Sequence, residues 1–160
     1  MKHIPLFFPF EQVVFGRGFV ADVRFLGRVT CTREFGSTWM YGVNPGALAE
    51  DGDNMPDAYA NFRHALVGVL FDLAAEAETL EQFHAAAQSF FEATDDASVA
   101  EWVEAREAIR SGEPPALDAG GLRGETGDRI PSLVVVEVRP DDFSPRLNHF
   151  TPDQPSLLAT

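Results

Sequence analysis

An α+β fold, with an antiparallel β-meander packed against helices, is predicted by three features of the chain. Residues 19–43 alternate apolar and polar side chains with a period of two, residues 55–111 repeat apolar side chains every three or four positions, and residues 132–138 return to a short β-branched run. Strands, then helices, then a strand describe a sheet whose last member comes back to the half that began it. With 160 residues, 45% hydrophobic and 23% charged, the chain is long enough to bury a core and sized for a single domain over about 1–140.

Each element has a local reason. Phe19, Ala21, Val23 and Phe25 alternate with Val20, Asp22, Arg24 and Leu26, predicting a strand over about 19–26. The same period resumes after Gly27, giving a second strand over about 28–35, and Gly36-Ser37 turns the chain into an aromatic strand at 38–43. Asn44-Pro45-Gly46 breaks that strand, with proline pre-setting a turn residue and glycine accepting positive φ, before a short strand at 46–49. A helix over 55–77 is capped by Asp53 or Asn54, holds Pro56 in its first turn, and lines up Ala58, Phe62, Ala65, Leu66, Val69, Leu70 and Leu73. Thr79-Leu80-Glu81-Gln82 and Ser98-Val99-Ala100-Glu101 both have capping-box spacing, opening helices at 80–93 and 98–111. The second carries Leu80, Phe83, Ala87, Phe90 and Phe91 on its apolar side, and the third carries Trp102, Ala105 and Ile109 and stops near Gly112. Residues 112–129, rich in Gly and Pro, read as a mobile loop. The run Ser132-Leu133-Val134-Val135-Val136-Glu137-Val138 predicts a strand over 132–139, its unbroken hydrophobicity pointing to burial on both faces. Residues 141–160, with Pro145, Pro152 and Pro155, read as an extended tail.

The order from Val29 to about Leu73 is distinctive: strand, glycine turn, aromatic strand, Asn44-Pro45-Gly46, Leu48, then Asp51-Gly52-Asp53 leading into a long helix with Ala58 and Ala65. This resembles the HicB-like antitoxin family, whose degenerate RNase H-like unit places a three-stranded meander before a helix and adds a further strand after it. Tyr41-Gly42-Val43-Asn44-Pro45-Gly46 matches the family's strand-to-turn segment and Gly52-Asp53-Asn54 the turn that starts its helix. The resemblance implies a non-catalytic module that binds and neutralises a small basic toxin ribonuclease of the HicA type, with Tyr41, Asn44 and Asp53 as partner-binding positions. Typical members are shorter, and many end in a DNA-binding segment. Here two extra helices, a long loop and a proline-rich tail stand in its place, and none of them is basic.

Charge narrows the classes further. The net charge is -13, with 12 Lys plus Arg against 25 Asp plus Glu. Residues 1–48 carry five basic and three acidic side chains, whereas residues 49–112 carry three basic and fourteen acidic ones. The helical segment therefore holds most of the negative charge, which repels nucleic-acid backbones and suits a basic protein partner. The one cysteine, Cys31, forms no intramolecular disulfide and fits a reducing cytoplasm. The apolar opening through Phe10 contains Pro5 and Pro9 and lacks a cleavage-site pattern, so it does not read as a signal peptide, and no stretch approaches the roughly 18 apolar residues of a membrane span. Phe7, Phe8, Phe10, Phe15 and Phe19 instead complete the core or cover a partner's sheet edge, and a homodimer or higher homo-oligomer is expected.

No residue set demands catalysis, a metal or a cofactor. The carboxylates of residues 50–57 superficially resemble a calcium loop, yet their spacing is not that of an EF-hand, and helix capping is the simpler reading. Two-metal chemistry of the RNase H type needs converging carboxylates, for which Asp22, Glu34, Asp72 and Glu137 are the contributors outside the caps. His3, His64, His84 and His149 form no HxH, HxxxH or HExxH pair, Cys31 has no neighbouring base, and Gly16-Arg17-Gly18 is too short for a dinucleotide fingerprint. Two other functions stay open beside the antitoxin-like one: an orphan homo-oligomeric structural protein, and a metal- or small-molecule-binding enzyme that uses the acidic cluster at 50–57.

Overall fold

A computed structural model describes residues 3–112 and 130–139. Five strands and three helices follow in the order β1 (Ile4–Phe15), β2 (Val20–Glu34), β3 (Ser37–Asn44), β4 (Ala49–Gly52), α1 (Met55–Glu76), α2 (Leu80–Glu92), α3 (Asp96–Arg110) and β5 (Ser132–Glu137). The fold is α+β, as the pattern predicts, with a wholly antiparallel sheet in the order β1-β2-β3-β4 and β5 paired to β2. The expected loop beyond Gly112 and the expected tail lie outside the described residues.

β2 organises the sheet. The two strands expected at 19–26 and 28–35 are one strand that runs through Gly27. There it exchanges neighbours: Ala21–Leu26 pair with β5, and Arg28–Glu34 pair with β3. Gly27 carries no side chain because a Cβ would run into the Phe8 ring and the Asn44 carbonyl. β1 covers the opposite edge of β2 from Ile4↔Cys31 to Phe15↔Val20. This strand had no counterpart among the expected elements, because its prolines and nearly continuous apolar run hide the alternation. Pro5 and Pro9 share one phase of an edge strand, where their missing N–H groups break no ladder bond.

Alternation then divides the side chains between two layers. Ile4, Leu6, Phe8, Phe10 and Val14 of β1 join Ala21, Val23, Phe25, Val29 and Cys31 of β2 in the main core, against Phe62, Leu66 and Leu70 of α1 and Phe83, Ala87 and Phe91 of α2. The opposite face holds a smaller cluster of Phe7, Val43 and Trp102, which seats α3. The N-terminal aromatics thus complete the core, although Phe15 stays exposed.

The helix starts follow local chemistry. Asn54, not Asp53, caps α1, its Oδ1 accepting from the Asp57 N–H at 2.9 Å. Thr79 caps α2 through the Gln82 N–H at 3.1 Å. The cap of α3 is Asp95, which accepts from the Ser98 N–H at 3.1 Å, so Ser98 is the third residue of its helix rather than the cap. An aspartate three residues upstream outcompetes the serine as acceptor.

The turns also differ from expectation. Phe35 (φ 51) and Gly36 (φ 81) form the two-residue connection between β2 and β3, with Glu34 facing Ser37. Beyond Asn44 the peptide to Pro45 is cis, and Gly46 does not use positive φ. Gly46 instead donates its N–H to the Ala93 carbonyl at 3.0 Å, tying the turn to the α2–α3 connection, and the short strand begins three residues later than expected.

Candidate functional site

Tyr41, Asn44 and Asp53 occupy three distinct settings. Tyr41 lies half-buried on the α3 side of β3, stacks on Trp39 with ring centroids 5.7 Å apart, and donates its hydroxyl to Glu34 Oε2 at 2.8 Å. Burial first, and then the bond and charge of Glu34, push the phenol up to about 12. Asn44 is buried, 7% exposed, and its Oδ1 accepts from Arg28 Nε at 2.6 Å. Asp53 is exposed at the start of α1. Tyr41 also lines a cleft of about 210 Å³ between the sheet and the first turns of α3, with His3, Thr30, Glu34, Val43, Ser98 and Glu101.

A register shift accounts for the position of Asn44. Arg28 faces Asn44 while Val29 faces Gly42, so Val43 is an extra residue on β3, a β-bulge. The bulge puts Asn44 in register with Arg28 and lets Val43 reach the small cluster. The alternation of Thr38 to Val43 in sequence carries no sign of it.

Other candidates stand apart. Asp22 lies 2.7 Å from Arg24 Nη2, Glu34 serves Tyr41, Asp72 is exposed on α1, and Glu137 ends β5 beside Arg139 at 3.5 Å. Asp22 and Glu137 have opposite phases in the β2–β5 ladder and so point to opposite faces. Among the described residues no three His, Cys, Asp or Glu side chains are placed to share a metal ion. Cys31 is fully buried, and desolvation pushes its thiol up to about 12, far from a nucleophile's range. His64 and His84 are exposed on their helices. No helix among the described residues is long and apolar enough to cross a membrane.

Uncovered apolar side chains also lie side by side on β5. The strand was expected to be buried on both faces, but only Leu133 and Val135 turn to the main core, whereas Val134 is 51% and Val136 46% exposed. Continuous β-branched sequence cannot separate a doubly covered strand from one whose second face is bare. The three outer strands also differ. β1 is interrupted by Pro5 and Pro9, and β4 has four residues, two of them acidic, and is held by α1. β5 has neither proline nor charge from Ser132 to Val136, and among the described residues it pairs only with β2.

Comparison with protein-family models, with curated proteins and with solved structures finds no match to this chain.

Proposed function

We propose that this chain is a non-catalytic protein-binding module that pairs with a second copy along β5 and presents its acidic helices to a small basic protein. The observation that carries the reading is the edge of β5, which among the described residues pairs only with β2 and has Val134 and Val136 exposed beside it. Edges left flat, uncharged and free of proline accept another strand through backbone hydrogen bonds. Antiparallel pairing of β5 with itself about a two-fold axis continues the sheet and makes the valines of the two copies neighbours on one face.

The likeness of Tyr41–Gly46 and Gly52–Asn54 to the HicB-like turn and helix start supports a HicA-type toxin ribonuclease as the basic partner. Exposed Glu81, Glu92, Asp95, Asp96, Glu101 and Glu104 would steer such a partner, with little counter-charge on the same helices.

Light scattering on a sizing column tests the pairing. The wild-type chain is expected as a dimer at micromolar concentration and the Val134→Lys/Val136→Lys chain as a monomer. A wild-type monomer sinks the pairing. Affinity capture from the native cell tests the partner separately: a small basic protein retained at low salt and released as salt rises supports it, and capture of no stoichiometric protein refutes it.

A further inference from the structure

We propose that Arg28, Arg106 and the face of Trp102 form a binding site for a phosphate dianion, free or as the end of a small monoester. The two guanidinium carbons, one from β2 and one from α3, lie 5.0 and 5.3 Å from the centroid of the same indole ring. That ring is fixed: Trp102 is 1% exposed and packs edge-on against Phe7 at 5.1 Å and 77°. Arg28 is fixed as well, because its Nε–H is held by Asn44, which the β3 bulge brings into register. Two cations from segments distant in sequence are thus pre-positioned around one rigid wall.

Among the described residues the pair lacks a matching anion. Among the described residues no carboxylate bonds Arg28, whose one hydrogen bond goes to the neutral Asn44. The carboxylate nearest Arg106 is Glu107, 3.8 Å from Nε and drawn at 3.0 Å to Arg110 instead. The buried Nε–H of Arg106 and the buried Nε1–H of Trp102 have no hydrogen-bond partner. Both unmet groups are donors, so what is missing is an acceptor. Among the described residues no carboxylate sits between these two cations, although two half-buried guanidiniums repel each other and lose hydration. Burial and the charge of Arg106 both disfavour protonated Arg28, and a bound anion relieves both effects. Guanidinium forks match the oxygens of phosphate in geometry, and a dianion matches two cations in charge where a single carboxylate would not.

The full chain carrying Trp39→Phe keeps Trp102 as its sole tryptophan, so indole fluorescence reads the site directly. Inorganic phosphate, O-phosphoserine and acetate are titrated at constant ionic strength and mildly alkaline pH, where both the monoester, whose second pKa is about 6, and the less acidic inorganic phosphate are dianions. Saturable binding of phosphate or phosphoserine in the millimolar range or tighter is expected, with acetate at least about tenfold weaker. Tighter phosphoserine assigns the site to a monoester, and equal or tighter inorganic phosphate assigns it to the free ion. Arg106→Gln and Arg28→Gln should each weaken binding about tenfold or more, while Arg110→Gln on the same helix leaves it unchanged. Far-UV circular dichroism verifies the fold of each variant, and Arg106→Gln, which leaves the Trp102 anchor of α3 in place, decides the matter if Arg28→Gln unfolds. No saturable response, a response that survives Arg106→Gln, or acetate as tight as phosphate overturns the proposal.

Discussion

Replacing Trp102 with alanine should release α3 while leaving the rest of the fold assembled. Trp102 is the single fully buried side chain of this 15-residue helix and forms the small cluster with Phe7 and Val43. A buried tryptophan removes about 150–250 Å² from water, which at about 25 cal/mol per Å² corresponds to roughly 4–6 kcal/mol. Alanine keeps part of that, so a loss of about 3–5 kcal/mol follows, in line with large-to-small core substitutions. Helices of this length are marginal on their own in water, and α3 has no second anchor of comparable size. Hydrogen exchange read by mass spectrometry gives the assay. Amides of α3 should lose most of their protection, while those of α1 around Phe62 and Leu66, which belong to the main core, keep theirs. Phe62→Ala removes a comparable buried area and should lower protection throughout the sheet and α1 together. Unchanged exchange in α3 of Trp102→Ala, or equal loss in α1, would refute the division of the core into two faces.

Three smaller predictions follow from single sites. Phe35 is fully exposed at φ 51, so Phe35→Asn should raise the urea midpoint by an amount corresponding to about 1 kcal/mol, and an unchanged or lower midpoint contradicts the strain. Cys31 should resist thiol reagents at mildly alkaline pH until the chain is unfolded; because folding raises its thiol from 9.0 to about 12, the folded form holds the proton and loses this contribution to stability as pH climbs through that interval. Tyr41 should ionise near 12 in an ultraviolet titration, and Glu34→Gln should bring it only part of the way back toward 10, since burial, the largest single cause, remains; a full return would leave burial no role.

Local signals were legible and non-local ones were not. Phe62, Leu66 and Leu70 show their shared face in spacing alone, and Thr79 and Asn54 show their caps, because helix chemistry acts over three or four residues. β1 escaped because prolines that normally exclude a strand are harmless on an edge, and only the partner decides what is an edge. The exposure of Val134 escaped for the same reason: whether the second face of β5 is covered depends on where α3 lies, far away in sequence. Of the expected partner positions, Asp53 is exposed and Tyr41 half-exposed, whereas Asn44 is turned inward by a bulge that leaves no mark in composition. The meeting of Arg28 and Arg106 on one indole depends on the same bulge and on the docking of α3.

The pairing of β5 with β2 sets an order of assembly. Ala21 faces Glu137 in that ladder, so its first strand is synthesised long before its last. β1 to β4 and the first two helices can already be in place while the stretch of β2 from Ala21 to Leu26 still shows an open flank next to Val23 and Phe25. Closing a loop this long is slow compared with zipping a hairpin. During that interval the flank is open to whichever strand of the right register arrives first, including the same segment of another molecule. High chain concentration during refolding should therefore enrich exchanged dimers over chains that close on themselves, a kinetic choice made before the native sheet is finished.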